Sequence, residues 1–361
     1  MLREAWRVKG RDLETGARLK QSSSVVGSTR SRLLILYSLP IPTLLLASLL
    51  IGGYSINLQD AVSAIVGGGR PEAALIVHSI RLPRALAALF GGACLGVSGA
   101  ILQALFRNPL ADSYILGVSA GSSLFLALSM LLGVTLGAWS PTNPYALYLA
   151  SFSGALLVTA LMTSLSGVVR STTTILIAGL MISYIAYSLT SILQTLVEIE
   201  KLRAFTYWIM GSFAGARWSI LTPGLPAIAI SLSSTLLLAK PLNALLLGED
   251  YARSMGMNLK RTRMMIVAAA SLPVAIVTAL AGAVGFIGLC APYLARQLSR
   301  TSNHFTIIPA SALLGSTLTL AADLLSRLAL RPIEIPITGV TALFGAPLVI
   351  YLLLRGRGVQ L

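Results

Sequence analysis

The sequence predicts an all-α integral membrane protein with about ten transmembrane helices, and three observations carry that expectation. Of the 361 residues, 55% are hydrophobic and only 11% charged, whereas soluble domains carry roughly a quarter charged residues. Apolar runs of the length a helix needs to cross a bilayer, about 20 residues, recur along the whole chain. The apolar density continues to the C-terminus without a polar stretch long enough to form a soluble domain.

Residues 1–32 are polar and basic, include Ser22, Ser23 and Ser24, and contain no apolar core, so they do not read as a signal peptide. They are expected to be a disordered cytosolic tail that touches anionic lipid. Apolar runs follow at 33–53, 84–105, 145–167, 172–197, 219–239, 264–281, 307–327 and 336–354. Shorter runs at 113–133 and 283–298 carry more Gly, Ser and Pro. Together they make one transmembrane domain over 33–355, followed by a cytosolic C-terminus at 356–361. The intervening polar segments are 54–80, 198–218 and 240–263. Most of the 27 basic residues fall on one side of this topology, including those in the short loops near Arg107, Arg170 and Lys240–Arg263. The excess of Lys and Arg on cytoplasmic loops therefore places both termini in the cytoplasm of a cell-membrane protein.

The net charge of +15 does not indicate nucleic acid, since that reading needs a basic stripe on a soluble surface. Cys94 and Cys290 lie singly within predicted spans and read as small core residues. His78 and His304 fall in opposite aqueous loops and cannot share a metal, so no metal site is expected. Walker A and H-E-x-x-H patterns are absent from the sequence. Asp323 is the only acid deep in a predicted span, and Arg327, four residues on, shares its helix face and neutralises it.

Several motifs remain. RLPRALAALFGG (residues 81–92) places Arg81 and Arg84 at the external start of a helix, where cations oppose the dipole and need compensation. The alternatives are snorkelling to lipid phosphate and docking of an acidic external partner, to which Arg327 would add a third guanidinium. QALFRNPLAD forces an inner turn, and GVSAGSS and IEIPITGVTALFGAPLVIYLL carry polar backbone breaks suited either to tight packing or to a pathway wall. GGACLGVSGA and AGAVGFIGLCAP space small residues so that backbones can approach closely. The polar segment Leu245–Arg263 has Glu249 and Asp250 after Gly248 and Lys260, Arg261 and Arg263 at its other end. It reads either as an interfacial helix packed on its own chain or as a handle offering Ala252, Met255 and Gly256 to another protein.

RLPR, SGAILQALFRNPLADSYILGVSAG, LLGEDYARSMGMN, GFIGLCAPYLAR, PASALLGSTLTLAADLLSR and EIPITGVTALFGAPLVIYLL together resemble the FecCD family, the permeases of type II ABC importers for iron-siderophore, haem and cobalamin. The likeness runs from about residue 33 to 355. It departs at Cys290 and at Tyr293, where the family has His. The resemblance implies a cobalamin-importer-permease-like fold and a second permease copy, with a homodimer forming the pore. It also implies two cytosolic ATPase subunits, which use ATP and Mg while this chain binds no cofactor, and an extracytoplasmic substrate-binding protein.

The segment 242–258 would form cytosolic coupling helices, with Gly248, Glu249, Ala252, Arg253 and Gly256 matching the family core. Arg81, Arg84 and Arg327 would dock the binding protein. Ser183, Tyr187, Thr190, Thr341 and Gly345 would line the pathway. The implied function is import of an iron chelate or haem, with cobalamin second. The rival reading is an ion-coupled secondary transporter, which would need more intramembrane carboxylates than Asp323.

Overall fold

The computed structural model describes residues 31–52, 56–66, 68, 70–136, 144–169, 171–330 and 333–355. The basic tail, apart from residues 31 and 32, and the segment 356–361 lie outside the described residues. Among them the chain is helical, and the only β pairing is the isolated bridge between Leu330 and Ile333.

The helices are α1 (Pro40–Leu50), α2 (Leu58–Ile65), α3 (Pro71–Leu75), α4 (Leu82–Phe106), α5 (Val118–Leu136), α6 (Pro144–Val168), α7 (Thr172–Gln194) and α8 (Ile199–Ile209). They continue with α9 (Trp218–Leu237), α10 (Ala239–Leu246), α11 (Glu249–Ser254), α12 (Leu259–Ala281), α13 (Ile287–Ser299), α14 (His304–Leu328) and α15 (Ile337–Arg355). Among the described residues seven helical runs are long and apolar enough to cross a membrane: 31–50, 71–106, 145–168, 172–194, 218–246, 259–281 and 304–328. The remaining three predicted spans correspond to α5, α13 and α15. The 54–80 segment, expected as polar connection, folds into α2, α3 and a π-helical turn, Ile76–Arg81, that runs straight into α4.

Local chemistry sets the boundaries. The side chains of Asn258 and Asn303 cap α12 and α14 by accepting from Arg261 N and Phe305 N, each at 3.0 Å. Pro83 lies just where the π-helical turn gives way to α4, so its missing N–H falls at the change of hydrogen-bond spacing. The same helix stops at Arg107, whose φ of 47° is left-handed, and Asn108–Pro109 follows.

The fold is organised around α4. Almost every side chain from Ala85 to Leu105 is buried, enclosed by α9, α12, α13 and α14. The glycines make this enclosure possible: a Cβ at Gly92 would strike the Gly315 carbonyl, one at Gly96 the Ser311 carbonyl, and one at Gly99 the Gly288 carbonyl. The two glycine-rich stretches of the sequence therefore meet backbone to backbone. Hydroxyls fasten the contacts, as Ser98 donates to Ala270 O at 2.7 Å and Ser316 to Leu89 O at 2.8 Å. The α5–α6 pair repeats the device with Gly121 against Gly154, and Ser122 donates to Ser151 O at 3.0 Å.

With 13 residues, α13 is only about 20 Å long, short of a ~30 Å hydrocarbon core. The link before it, Gly282–Phe286, is non-helical, with φ of 71° at Gly282 and 66° at Phe286. Its polar groups are answered from elsewhere in the chain. Ser212 N donates to Ala281 O at 2.8 Å, Thr338 Oγ1 to Ala283 O at 2.5 Å, and Tyr114 Oη accepts from Val284 N at 2.9 Å. Phe286 N–H and Ser113 N–H bond the buried Asp112 carboxyl.

The α4–α13 contact gives a prediction. Gly99→Val adds branched carbon where backbone already touches backbone, so it prevents assembly of the bundle, whereas Gly224→Val, in open space on α9, leaves it folded. The monodisperse fraction of detergent-solubilised protein measures the difference.

Candidate functional site

The segment expected to receive force from a partner consists of α10 and α11. They join through Leu247 and Gly248, the latter with φ of 115°, and α11 ends before Gly256, with φ of 82°. An added Cβ at either glycine would meet nothing within 4 Å, so the backbone angle and not space demands glycine. Three braces hold the segment to the bundle. Arg107 donates to Leu245 O at 2.6 Å, joining it to the end of α4. Asn243 donates to Asn303 Oδ1 at 2.9 Å and accepts from His304 N at 2.8 Å, joining it to α14. Arg263, at the start of α12, donates to both Glu249 carboxylate oxygens at 2.6 and 2.7 Å.

These contacts divide the predicted coupling residues. Ala252 is fully buried in the core cluster, and Glu249, whose side chain is 38% exposed, is engaged by Arg263, so both fix the helix. Arg253 is exposed and makes no ion pair among the described residues. The presented face is completed by Leu247, Tyr251 and Met255, about half or more exposed and spaced four apart. Leu247 and Tyr251 escape sequence reasoning because apolar residues beside a span read as its continuation. Their outward direction follows from the turn at Gly248.

At the opposite end of the bundle, the three arginines expected to be presented to an external partner are buried, each at most 6% exposed. Arg81 Nη1 donates to Leu49 O at 2.7 Å and Leu50 O at 2.9 Å. Arg327 donates to Ser48 O at 3.3 Å, Ser48 Oγ at 2.5 Å and Ile51 O at 3.4 Å. Both therefore cap the C-terminus of α1, where carbonyls without helical partners favour a cation. Arg84 Nε donates to Asp323 Oδ1 at 3.0 Å, and its Nη1 and Nη2 donate to the Glu334 carboxylate at 2.9 and 3.1 Å. Asp323 Oδ2 in turn lies 2.9 Å from Arg327 Nη2, the neutralising pair that the i, i+4 spacing predicts.

Two guanidiniums and two carboxylates thus form a balanced cluster that ties α1, α4, α14 and the lead-in to α15. Its one substantially exposed member is Glu334, at 42%. This corrects the expectation of outward-facing forks. The compensation that arginine needs at a helix N-terminus comes from acids and carbonyls of the same chain.

The five residues expected along a pathway also separate. On α7, Gly179, Ser183, Ala186 and Thr190 form an inward stripe; Ser183 donates to Gly179 O at 2.8 Å and Thr190 to Ala186 O at 2.7 Å. Gly179 and Ser183 pack on the 115–117 turn. On α15, Thr341 is buried and donates to Thr338 O at 3.1 Å, while Gly345 abuts the Phe286 ring. Ser183, Thr190, Thr341 and Gly345 therefore face the protein interior, and the three hydroxyls among them bond carbonyls of their own helices. Tyr187 differs, being 70% exposed beside Tyr184 at 60%, near the middle of a 23-residue helix. Leu343, Phe344 and Tyr351 form the corresponding exposed face of α15. Among the described residues no group of His, Cys, Asp and Glu is arranged to hold a metal.

Comparison with known proteins matches this architecture. The model of the FecCD transport family covers residues 40–355. The chain is 41% identical to the vitamin B12 import system permease protein BtuC of Klebsiella pneumoniae, over 79% of this chain and 84% of that protein. It is 39% identical to the BtuC of Shigella boydii over 87% and 92%. Among solved structures, an inward-facing metal-chelate type ABC transporter superposes with a TM-score of 0.79 at 32% identity, covering 90% of this chain and 99% of the other.

Two predictions follow from the ionic contacts. Asp323→Asn strips both buried guanidiniums of a shared anion and costs about 3–5 kcal/mol, whereas Glu334→Gln, half in solvent, costs about 1 kcal/mol. Thermal unfolding of the purified chain in detergent gives that order. Glu249→Arg loosens α11 from α12 by on the order of 1–2 kcal/mol. The exchanged pair Glu249→Arg with Arg263→Glu restores protection of the α11 amides, read by hydrogen exchange.

Proposed function

Because the chain belongs to the FecCD transport family, it is a membrane permease subunit of an ATP-binding-cassette importer and not an enzyme, and we propose that its cargo is a corrinoid of the vitamin B12 type. The support is the 39–41% identity to vitamin B12 import permeases over most of both chains. That reverses the order expected from sequence, which put iron chelates first. A ferric chelate is the second reading, since the solved transporter that superposes over nearly its whole length is of metal-chelate type.

The family works with ATPase and substrate-binding partners. In the proposed assembly two copies of this chain enclose the pathway and two ATPases, with ATP and Mg, sit beneath α10 and α11. Both termini face the cytoplasm. The single observation that supports a paired pore is the position of Tyr184 and Tyr187. A phenol at mid-depth of a membrane helix has no water in lipid to satisfy it. Such hydroxyls belong against a second protein surface or an aqueous path, and the exposed face of α15 supplies the matching apolar wall. With Ser183, Thr190 and Thr341 turned inward, that wall has few hydrogen-bonding groups. It guides a bulky cargo without gripping it.

ATPase closure acts through Leu247, Tyr251, Arg253 and Met255. Gly248 and Gly256 set the angle of the contact, and Glu249 and Ala252 carry the displacement to α12. The binding protein docks on the opposite end. There Arg81, Arg84 and Arg327 hold the docking surface in shape from beneath, and Glu334 lies at its edge. Coupling then consists of different affinities of each partner for two arrangements of the spans.

Proteoliposomes containing the permease, its ATPase and its binding protein test the assignment with radiolabelled cobalamin and ferric siderophore side by side. Cobalamin accumulates with ATP, and Arg253→Glu abolishes accumulation while the isolated ATPase still hydrolyses ATP. Accumulation of the ferric chelate alone overturns the corrinoid assignment, and uptake unaffected by Arg253→Glu removes that residue from the coupling contact.

A further inference from the structure

An open groove of about 230 Å³ runs between α6, α9 and α12. Tyr148, Phe152, Pro223, Gly224, Ala227 and Leu280 are among its walls, and its lining is almost wholly apolar. It owes its depth to α9. Pro223 and Gly224 present little side chain there, and a Cβ added at Gly224 would meet nothing within 4 Å. From Ser219 to Ala227 the groove follows α9 for roughly 12 Å at 1.5 Å per residue. That is close to one leaflet's share of a ~30 Å hydrocarbon core.

The end of the groove has a different chemistry. Arg217, immediately before α9, is exposed, makes no ion pair among the described residues, and lies close enough to act electrostatically on Tyr148. Tyr148 Oη donates to Gly215 O at 3.3 Å, and Trp218 Nε1 donates to His78 O at 2.7 Å. Tyr145, 48% exposed, stands beside them. Tyrosine and tryptophan with their polar atoms at one level mark the boundary between hydrocarbon and headgroups. This boundary is at the end of the bundle away from α10 and α11.

We propose that this groove is a phospholipid site, in which an acyl chain lies along α9 between α6 and α12 and the lipid phosphate is held by Arg217. Charge and depth single out this occupant. A guanidinium with no ion-pair partner among the described residues, at the headgroup level, matches a phosphate, and the apolar trough below it matches a chain of one leaflet. Neither α7 nor α15 contributes to it, so it is separate from the pathway wall. Its walls also matter to the partner-driven end of the molecule: α9 leads through α10 into α11, and α12 carries Arg263, which grips Glu249. A lipid wedged between α9 and α12 therefore sets the spacing of the two helices that frame the coupling segment.

Native mass spectrometry of the full chain, delipidated in detergent and titrated with phosphatidylglycerol or with diacylglycerol of the same chains, tests the site. The wild-type chain is expected to bind one phosphatidylglycerol at least tenfold more tightly than diacylglycerol. Arg217→Gln removes that preference, and Ala227→Phe weakens both ligands at least tenfold. Equal affinity for the two lipids in the wild type, or unchanged binding in a folded Ala227→Phe variant, overturns the proposal.

A second measurement needs no groove variant. Phosphatidylglycerol brominated in its acyl chains should quench fluorescence of the wild type that is absent from Trp218→Phe. If brominated lipid leaves the Trp218 contribution unquenched, the site is not occupied and the proposal fails.

Discussion

A helix surrounded on all sides by other helices can be reached only if it is thin, and that requirement governs this molecule. In α4 the side chains that would keep neighbours at a distance are reduced to hydrogen or methyl where α13 and α14 cross it, so carbonyl oxygens at Gly288, Ser311 and Gly315 occupy the space of a missing Cβ. In a bilayer, where apolar surface gains little by leaving lipid, such contact rests on dispersion and on short hydroxyl-to-carbonyl bonds. Ser316 supplies one from α14 to α4, and Ser98 supplies another from α4 to α12. The glycine content of α4, unfavourable for an isolated helix, is what gives the bundle a centre.

The two polar ends of the molecule are both fastened to that centre. Arg84, in the first turn of α4, enters the Asp323–Glu334 cluster, and Arg107, the residue at which α4 stops, holds the carbonyl end of α10. One buried rod thus joins the arginine–carboxylate cluster at one end of the bundle to the α10–α11 segment at the other. It is not thereby a wire. Coupling between the ends requires that the contacts at each have two arrangements. Candidates for such contacts are those that include a partly exposed member, Glu334 above and Glu249 below, because an exposed carboxylate can exchange a protein partner for water at small cost.

Much of this was legible in the sequence. Apolar run length located the spans, the spacing of Gly92, Gly96 and Gly99 identified a close-packed helix, and the interval between Asp323 and Arg327 anticipated their pairing. The burial of Arg81 and Arg84 was not legible. Their partners come from α1 and from residues some 240 positions away, as between Arg84 and Asp323, and nothing local records which acid will arrive. The same limit applies to Ser183, Thr190 and Thr341, whose hydroxyls bond carbonyls of their own helices. A small hydroxyl residue on a membrane helix has one composition for lining water and for packing on a neighbour, and only the facing helix decides. The π-turn at Ile76–Arg81 also left no mark, because it changes hydrogen-bond partners by one residue without needing a special side chain.

The short α13 leaves Gly282–Phe286 as non-helical backbone between two membrane helices, and Thr338 of α15 supplies the hydroxyl that answers the Ala283 carbonyl there. Displacing α15 strips that carbonyl of its donor. Hydrocarbon has no substitute to give, so a water molecule must take the place of the hydroxyl. Movement of the last helix and wetting of the bundle interior at this link are therefore a single event, and the hydration of one peptide group records whether the helix has moved.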